Sequence, residues 1–168
     1  DAIGEVVNSS NVMSILTEIL RLKQICSEDK IDRVVETAID ARESSENGHN
    51  KVLIFSQFVD TCREIHSKLG EKALIFTGET SQEQRMKLVG EFQTNPEIDY
   101  LVVTSQVARE GLNLQAAGFV IFTDLMWTPA AHEQCEGRAY GRLADLHSID
   151  SYYVVCEDSI EVWIQELL

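Results

Sequence analysis

The chain has 168 residues, 44% of them hydrophobic, which is one domain's worth and enough to bury a core. Its 28 acidic residues outnumber 14 Lys and Arg, for a net charge of −14. That balance excludes a broad basic surface that holds nucleic acid by charge alone, so any such contact must be local or completed by another domain.

In chain order, Asn11–Cys26 sets Val12, Ile15, Leu16, Ile19, Leu20 and Leu22 on one helical stripe. Met13, Ile15 and Leu16 are therefore expected in the core. A second helix is predicted over Lys30–Arg42, followed by a polar loop, ESSENGHN. Five β-rich runs follow: Lys51–Ser56, Ala73–Thr77, Tyr100–Thr104, Phe119–Thr123 and Ser151–Val155. The first four are nearly continuous in apolar residues, the pattern of strands covered on both faces. Helices are predicted over Thr61–Leu69, Gln82–Phe92, Ala130–Leu143 and Glu161–Leu168. Ser81 with Gln84 reads as a capping box, and Thr128 with Pro129 as a helix start. Alternating strands and helices predict a mainly parallel α/β sheet with helices on both faces.

No run is apolar for long enough to span a bilayer, and DAIGEVVNSS lacks the basic start and apolar run of a signal peptide. Cys26, Cys62, Cys135 and Cys156 form no CxxC pair. They read as reduced core thiols of a cytosolic-type protein. His49, His66, His132 and His147 show no metal-ligand spacing and are expected as surface or capping residues; no metal site is expected.

Ligands of an open parallel sheet gather beyond the carboxyl ends of its strands. The polar clusters Ser56-Gln57, Thr77-Gly78-Glu79-Thr80, Thr104-Ser105-Gln106 and Thr123-Asp124 all stand at such ends. Small hydroxyls and backbone amides there suit phosphates. Gln134, Arg138 and Arg142 are four apart and share one helix face. Two arginines one turn apart present guanidinium forks suited to a polyphosphate.

Read together, these segments resemble the second RecA-like lobe of superfamily 2 helicases, and most of all the SWI/SNF-type DNA translocases. KVLIFSQF resembles motif IV, and LIFTGETSQEQR, with Phe92-Gln93 after its Arg85, resembles the segment that follows it. TSQVAREGLNLQAAG resembles motif V, MWTPA the Trp-Asn-Pro-Ala segment, QCEGRA the start of motif VI, and LRLKQIC the helix preceding the lobe. Two departures stand out. Ala108-Arg109 occupy the place of two glycines, and Arg142 lies one residue beyond the expected second arginine of motif VI.

The resemblance implies a three-layer RecA-like lobe over 46–168, with 1–45 a helical lead-in from a first lobe. It implies an arginine finger at Arg138, with Arg142 as a second, and nucleotide contacts from Gly111, Asn113, Gln134 and Arg138. Nucleic-acid contacts are expected from Ser56, Gln57, Gly78, Thr80, Thr104, Ser105 and Trp127. For each there is a plainer alternative: a surface ion pair with Glu136 for Arg138, a turn cap for Asn113, half-buried packing for Trp127. Asp124 is expected as a loop and hinge residue rather than a catalytic acid.

No GxxxxGK[ST] occurs in the chain, so the cradle for the β-phosphate and Mg²⁺ is expected on the other lobe. The expected function is half of an ATP-hydrolysing translocase on double-stranded DNA, inactive on its own. The setting is cytoplasmic, nucleoid-associated in a bacterium or nuclear in a eukaryote. Alternatives are an RNA or DNA helicase of another superfamily 2 branch, or a non-catalytic docking module built on a helicase lobe.

Overall fold

A computed structural model describes residues 9–44, 51–107, 112–140 and 148–168. Gly111, Arg142, Arg109, His49 and His147 lie outside the described residues.

Two helices open the chain, α1 (Ser9–Asp29) and α2 (Ile31–Ser44). Then β1 (Lys51–Ser56) leads to α3 (Val59–Leu69), and β2 (Ala73–Phe76) to α4 (Gln82–Thr94). Next come β3 (Tyr100–Thr104), β4 (Ala117–Phe122), α5 (Pro129–Tyr140), β5 (Asp150–Tyr153) and α6 (Ile160–Leu167). The local signals behave as read. Ser81 and Gln84 form both halves of a capping box, and Ala131 N donates to Thr128 Oγ1 at 3.3 Å with Pro129 as the first residue of α5. One short 3₁₀ turn, Gly70–Lys72, escaped the sequence reading. It begins where Gly70 takes φ +69° to end α3, a conformation costly for any residue with a side chain.

The five strands pair in the order β2-β3-β1-β4-β5, every described pairing parallel. β1, β3 and β4 are inner strands buried on both faces, which explains their unbroken apolar runs. β5 is an edge strand, and all four of its residues are exposed. Opposite β1, pairing passes from Ala117 to Phe119, so Gly118 forms a bulge where the absence of a side chain is useful.

Alternate residues of the strands feed two cores. One joins Leu53, Phe55, Leu101, Val103, Val120 and Phe122 to Val89 and Phe92 of α4 and Cys135 and Ala139 of α5. The other joins Val52, Ile54, Val102 and Ile121 to Val34, Ala38 and Ala41 of α2 and Cys62 and Ile65 of α3. Helices therefore cover both faces, giving three layers. α2 is one of those layers, so the expected boundary at 45/46 runs between two elements that share a core.

The expected core stripe of α1 is corrected here. Met13, Ile15 and Leu16 are 64%, 60% and 44% exposed. Among the described side chains of α1, the buried ones are Lys23, Cys26 and Ser27, all in its C-terminal part. Helical periodicity marks an apolar face but does not say which part of a helix finds a neighbour. The described cysteines are all free thiols, with Cys26, Cys62 and Cys135 buried and Cys156 partly so.

Candidate functional site

The last row paired across β2, β3, β1 and β4 is Phe76, Val103, Phe55 and Phe122, continued on β5 by Tyr153. The next residue on each of β2, β3, β1 and β4 bears a hydroxyl: Thr77, Thr104, Ser56 and Thr123. The row lies just under the surface, with Ser56 1% and Thr104 3% exposed. The hydroxyls of Thr104 and Thr123 meet no hydrogen-bond partner among the described residues. Ser105 is buried beside them, its amide donating to Ser56 O at 2.9 Å.

Asp124 organises this rim. Its carboxylate accepts from Ser56 Oγ at 2.6 Å, Gln57 Nε2 at 2.6 Å, Gln57 N at 3.1 Å and Ser27 Oγ at 3.4 Å. Gln57 Nε2 also donates to Leu125 O at 2.9 Å. Such charge-assisted bonds are short and strong, and here they tie the tip of β1 to the tip of β4. The Ser56 hydroxyl and the Gln57 amide are thus both engaged by Asp124. The sequence reading of Asp124 as a loop residue understated a buried hub; the acid placed directly after a strand-end Thr was the available signal.

The β2 tip is closed on itself. Thr77 N donates to Thr80 Oγ1 at 3.0 Å, and Thr80 N donates to Thr77 O at 3.1 Å. Arg85, buried on α4, donates to Gly78 O at 3.0 Å and holds the turn from below. Gly78 itself is exposed, and a Cβ built on it meets nothing within 4 Å, so the backbone there stands open.

The segment that carries Asn113 is joined to the end of α5 that carries Arg138 at the other end of β4. Leu114 N donates to Arg138 O at 2.9 Å, joining the segment before β4 to the end of α5. Gln93 of α4 clamps the same segment, donating to Asn113 O and accepting from Ala116 N, both at 2.8 Å. Asn113 Oδ1 accepts from Gln115 N at 3.3 Å, a local turn closed by the side chain. Gln134 is exposed one turn before Arg138 on α5.

At the start of α5, Trp127 is 44% exposed and His132 is buried, which corrects the surface reading of that histidine. His132 Nε2 accepts from Met126 N at 3.1 Å, and its ring meets Phe122 and Tyr153 edge-on at 5.0 and 5.2 Å. Burial pushes its pKa below the usual 6.5. Tyr153 donates to Glu136 at 2.7 Å, and burial with that carboxylate pushes its phenol well above the usual 10.

The sequence-predicted residues therefore fall into two groups. Ser56, Gln57, Gly78, Thr80, Thr104, Ser105 and Trp127 line the carboxyl rim. Asn113 and Arg138 sit on segments joined through Leu114 N and Arg138 O at the opposite end of β4, and Gln134 lies on α5 one turn before Arg138. Asp124, Gln93, Arg85 and Lys23 were not singled out as site residues, although each holds part of this arrangement.

Comparisons with known proteins agree with the architecture. Residues 29–142 match the family model described as the helicase conserved C-terminal domain. The Zorya protein ZorD of Escherichia coli O139:H28 is 31% identical over 128 residues, 71% of this chain and 12% of that protein. The chromatin-remodelling ATPase INO80 of Neurospora crassa is 32% identical over 127 residues, 74% of this chain and 6% of that protein. The C-terminal part of the Fun30 ATPase domain superposes with a TM-score of 0.72 at 28% identity, covering 82% of this chain and 44% of that one. The chain spans only a small fraction of the curated relatives it matches. It belongs to the helicase conserved C-terminal domain family, as a RecA-like lobe of the SWI/SNF type.

Proposed function

We propose that this chain is the second lobe of an ATP-driven translocase on double-stranded DNA. The observation that carries the reading is the division of the candidate residues into two patches joined by α5. Trp127 lies just before its start and Arg138 near its end, and its 12 residues span about 18 Å. One rigid helix thus links a rim suited to a phosphate backbone with an arginine suited to a nucleotide. Relatives named as ATPases and helicases support the same activity.

In this reading residues 1–45 lead in from the preceding lobe, and 46–168 close on it around ATP. Arg138 is the arginine finger that meets negative charge on the γ-phosphate, with Arg142 as a second. Gly111, Asn113 and Gln134 contact the nucleotide. Gly78, Thr80 and Trp127 face the DNA backbone, and the buried Ser56, Thr104 and Ser105 with the half-buried Gln57 shape its seat. Mg²⁺ belongs with the other lobe, because the sequence here carries no GxxxxGK[ST] cradle for it. Isolated, the lobe hydrolyses ATP poorly or not at all. Its place of action is where the DNA is, the nucleoid or the nucleus.

The net charge of −14 favours one second reading, a docking module without turnover. ATP turnover by the protein carrying both lobes, with and without duplex DNA at low salt, decides between them. Stimulation by duplex that falls about a thousandfold or more in Arg138→Ala supports the translocase. Absence of turnover with any nucleic acid supports docking, and strong stimulation by RNA alone moves the chain to another helicase branch.

A further inference from the structure

Lys23 is fully buried, yet it is a lysine, and such residues stay inside only with specific partners. Its ammonium donates to Leu125 O at 2.5 Å and lies 4.4 Å from the centre of the Trp127 ring. One turn on, Ser27 reaches Asp124 Oδ2 and Thr61 Oγ1, both at 3.4 Å. Then Lys30 donates to Val154 O at 2.6 Å and grips both oxygens of buried Glu161. The spacing i, i+4, i+7 sets Lys23, Ser27 and Lys30 in one row. That row touches the segments following β4 and β5 and reaches α6.

We infer that Lys23 is a positioning residue: it clasps the Asp124–Trp127 segment from the buried side and sets where Trp127 stands on the rim. The ammonium reaches the backbone at Leu125 O, an acceptor it shares with Gln57 Nε2, and the indole by a cation–π contact, so one side chain touches both features of the segment. Asp124 and Glu161 draw the charge in against the burial that lowers its pKa. As a route to DNA contact, the inference rests on the translocase reading; as a statement about the segment, it stands on this geometry alone.

The test uses Trp163→Phe as background, because Trp127 and Trp163 are the chain's two tryptophans and Trp163 is exposed. In Lys23→Met, amide exchange at 125–127 is expected to rise at least about tenfold, the effect of losing one charge-assisted hydrogen bond. Trp127 emission and its quenching by acrylamide change with it, and Lys23→Arg restores both. Should Lys23→Met fail to fold, Lys23→Gln keeps a donor for Leu125 O and removes only the charge beside the indole; the Trp127 signal still shifts. Unchanged exchange and unchanged Trp127 quenching in the folded variant overturn the inference, as does failure of Lys23→Arg to restore them.

In the protein with both lobes, Lys23→Met is expected to raise the duplex concentration for half-maximal turnover while the saturated rate is kept. A loosened segment with unaltered duplex dependence overturns the coupling to DNA. If the unsubstituted protein shows no duplex-stimulated turnover, the translocase reading fails, and the Trp127 and exchange measurements still decide the clasp.

Discussion

The two halves of α1 obey opposite rules. The stretch before Lys23 carries Met13, Ile15, Leu16, Leu20 and Leu22, residues that pattern reading sends inward, and all are exposed. The C-terminal half buries Lys23, Ser27 and, at its junction with α2, Lys30, the residues that pattern reading sends outward. The difference is what each half meets. The C-terminal half runs past strand ends, where carbonyls and carboxylates of β4, β5 and α6 want donors. A lysine that supplies one there makes contacts no leucine offers. Apolar residues have no such directional partners, so their place depends on whether a neighbour is present at all.

The sharpest way to break the polar half is to remove one member of its tightest pair. Glu161 is wholly buried and accepts from Lys30 at 2.6 and 2.8 Å and from Cys156 N at 2.9 Å. Glu161→Gln or Lys30→Met leaves a buried charge without its counterpart and is expected to destabilise the fold by about 3–5 kcal/mol in denaturant titration. The double variant Lys30→Met with Glu161→Leu should recover much of that loss, because two apolar side chains leave no stranded charge. A double variant as unstable as either single one would mean that Val154 O and Cys156 N, not the ion pair, carry the effect.

Asp124→Asn comes next. It keeps the shape but turns an acceptor-only group into one that also donates, facing Ser56, Gln57 and Ser27. A loss of about 1.5–3 kcal/mol is expected, with faster amide exchange at the tips of β1 and β4. His132 gives a smaller, pH-dependent effect. Its folded pKa lies below 6.5, so as the medium acidifies the unfolded chain takes up the proton first. The stability it contributes is complete above 6.5 and declines as the pH falls through the window beneath. His132→Gln keeps an acceptor for Met126 N and should flatten that part of the stability profile against pH.

The sequence carried the strands, their parallel pairing and the caps because those depend on local signals, such as the unbroken apolar run VLIF and the Ser81–Gln84 pair. It also carried the rim, since the Thr and Ser residues end their strands or follow them directly. What it did not carry is long-range. Asp124 holds residues 67 and 68 positions away, and Lys23 reaches across 102. No periodicity encodes such a pairing. His132 looked like a surface residue because its own helix is polar around it; the rings that bury it come from β4 and β5. Asn113 and Arg138 were legible as types, but the joining of their segments through Leu114 N and Arg138 O required the fold.

The exposed half of α1 sharpens the comparison with the smallest effect. Ile15→Lys and Leu16→Gln replace apolar groups that are 60% and 44% exposed. Little area is lost from any core, and a good helix former enters in each case. Each is therefore expected to change stability by no more than about 0.5 kcal/mol, against a loss several times larger for Lys23→Ala on the same helix. Chemical denaturation of the three variants side by side measures the ratio. If Ile15→Lys cost as much as Lys23→Ala, the N-terminal half would be packed in solution and hydrophobic burial would govern the whole helix. If the ratio holds, the helix is fastened at one end chiefly by polar contacts, with an apolar face at the other that contributes nothing to holding this lobe together.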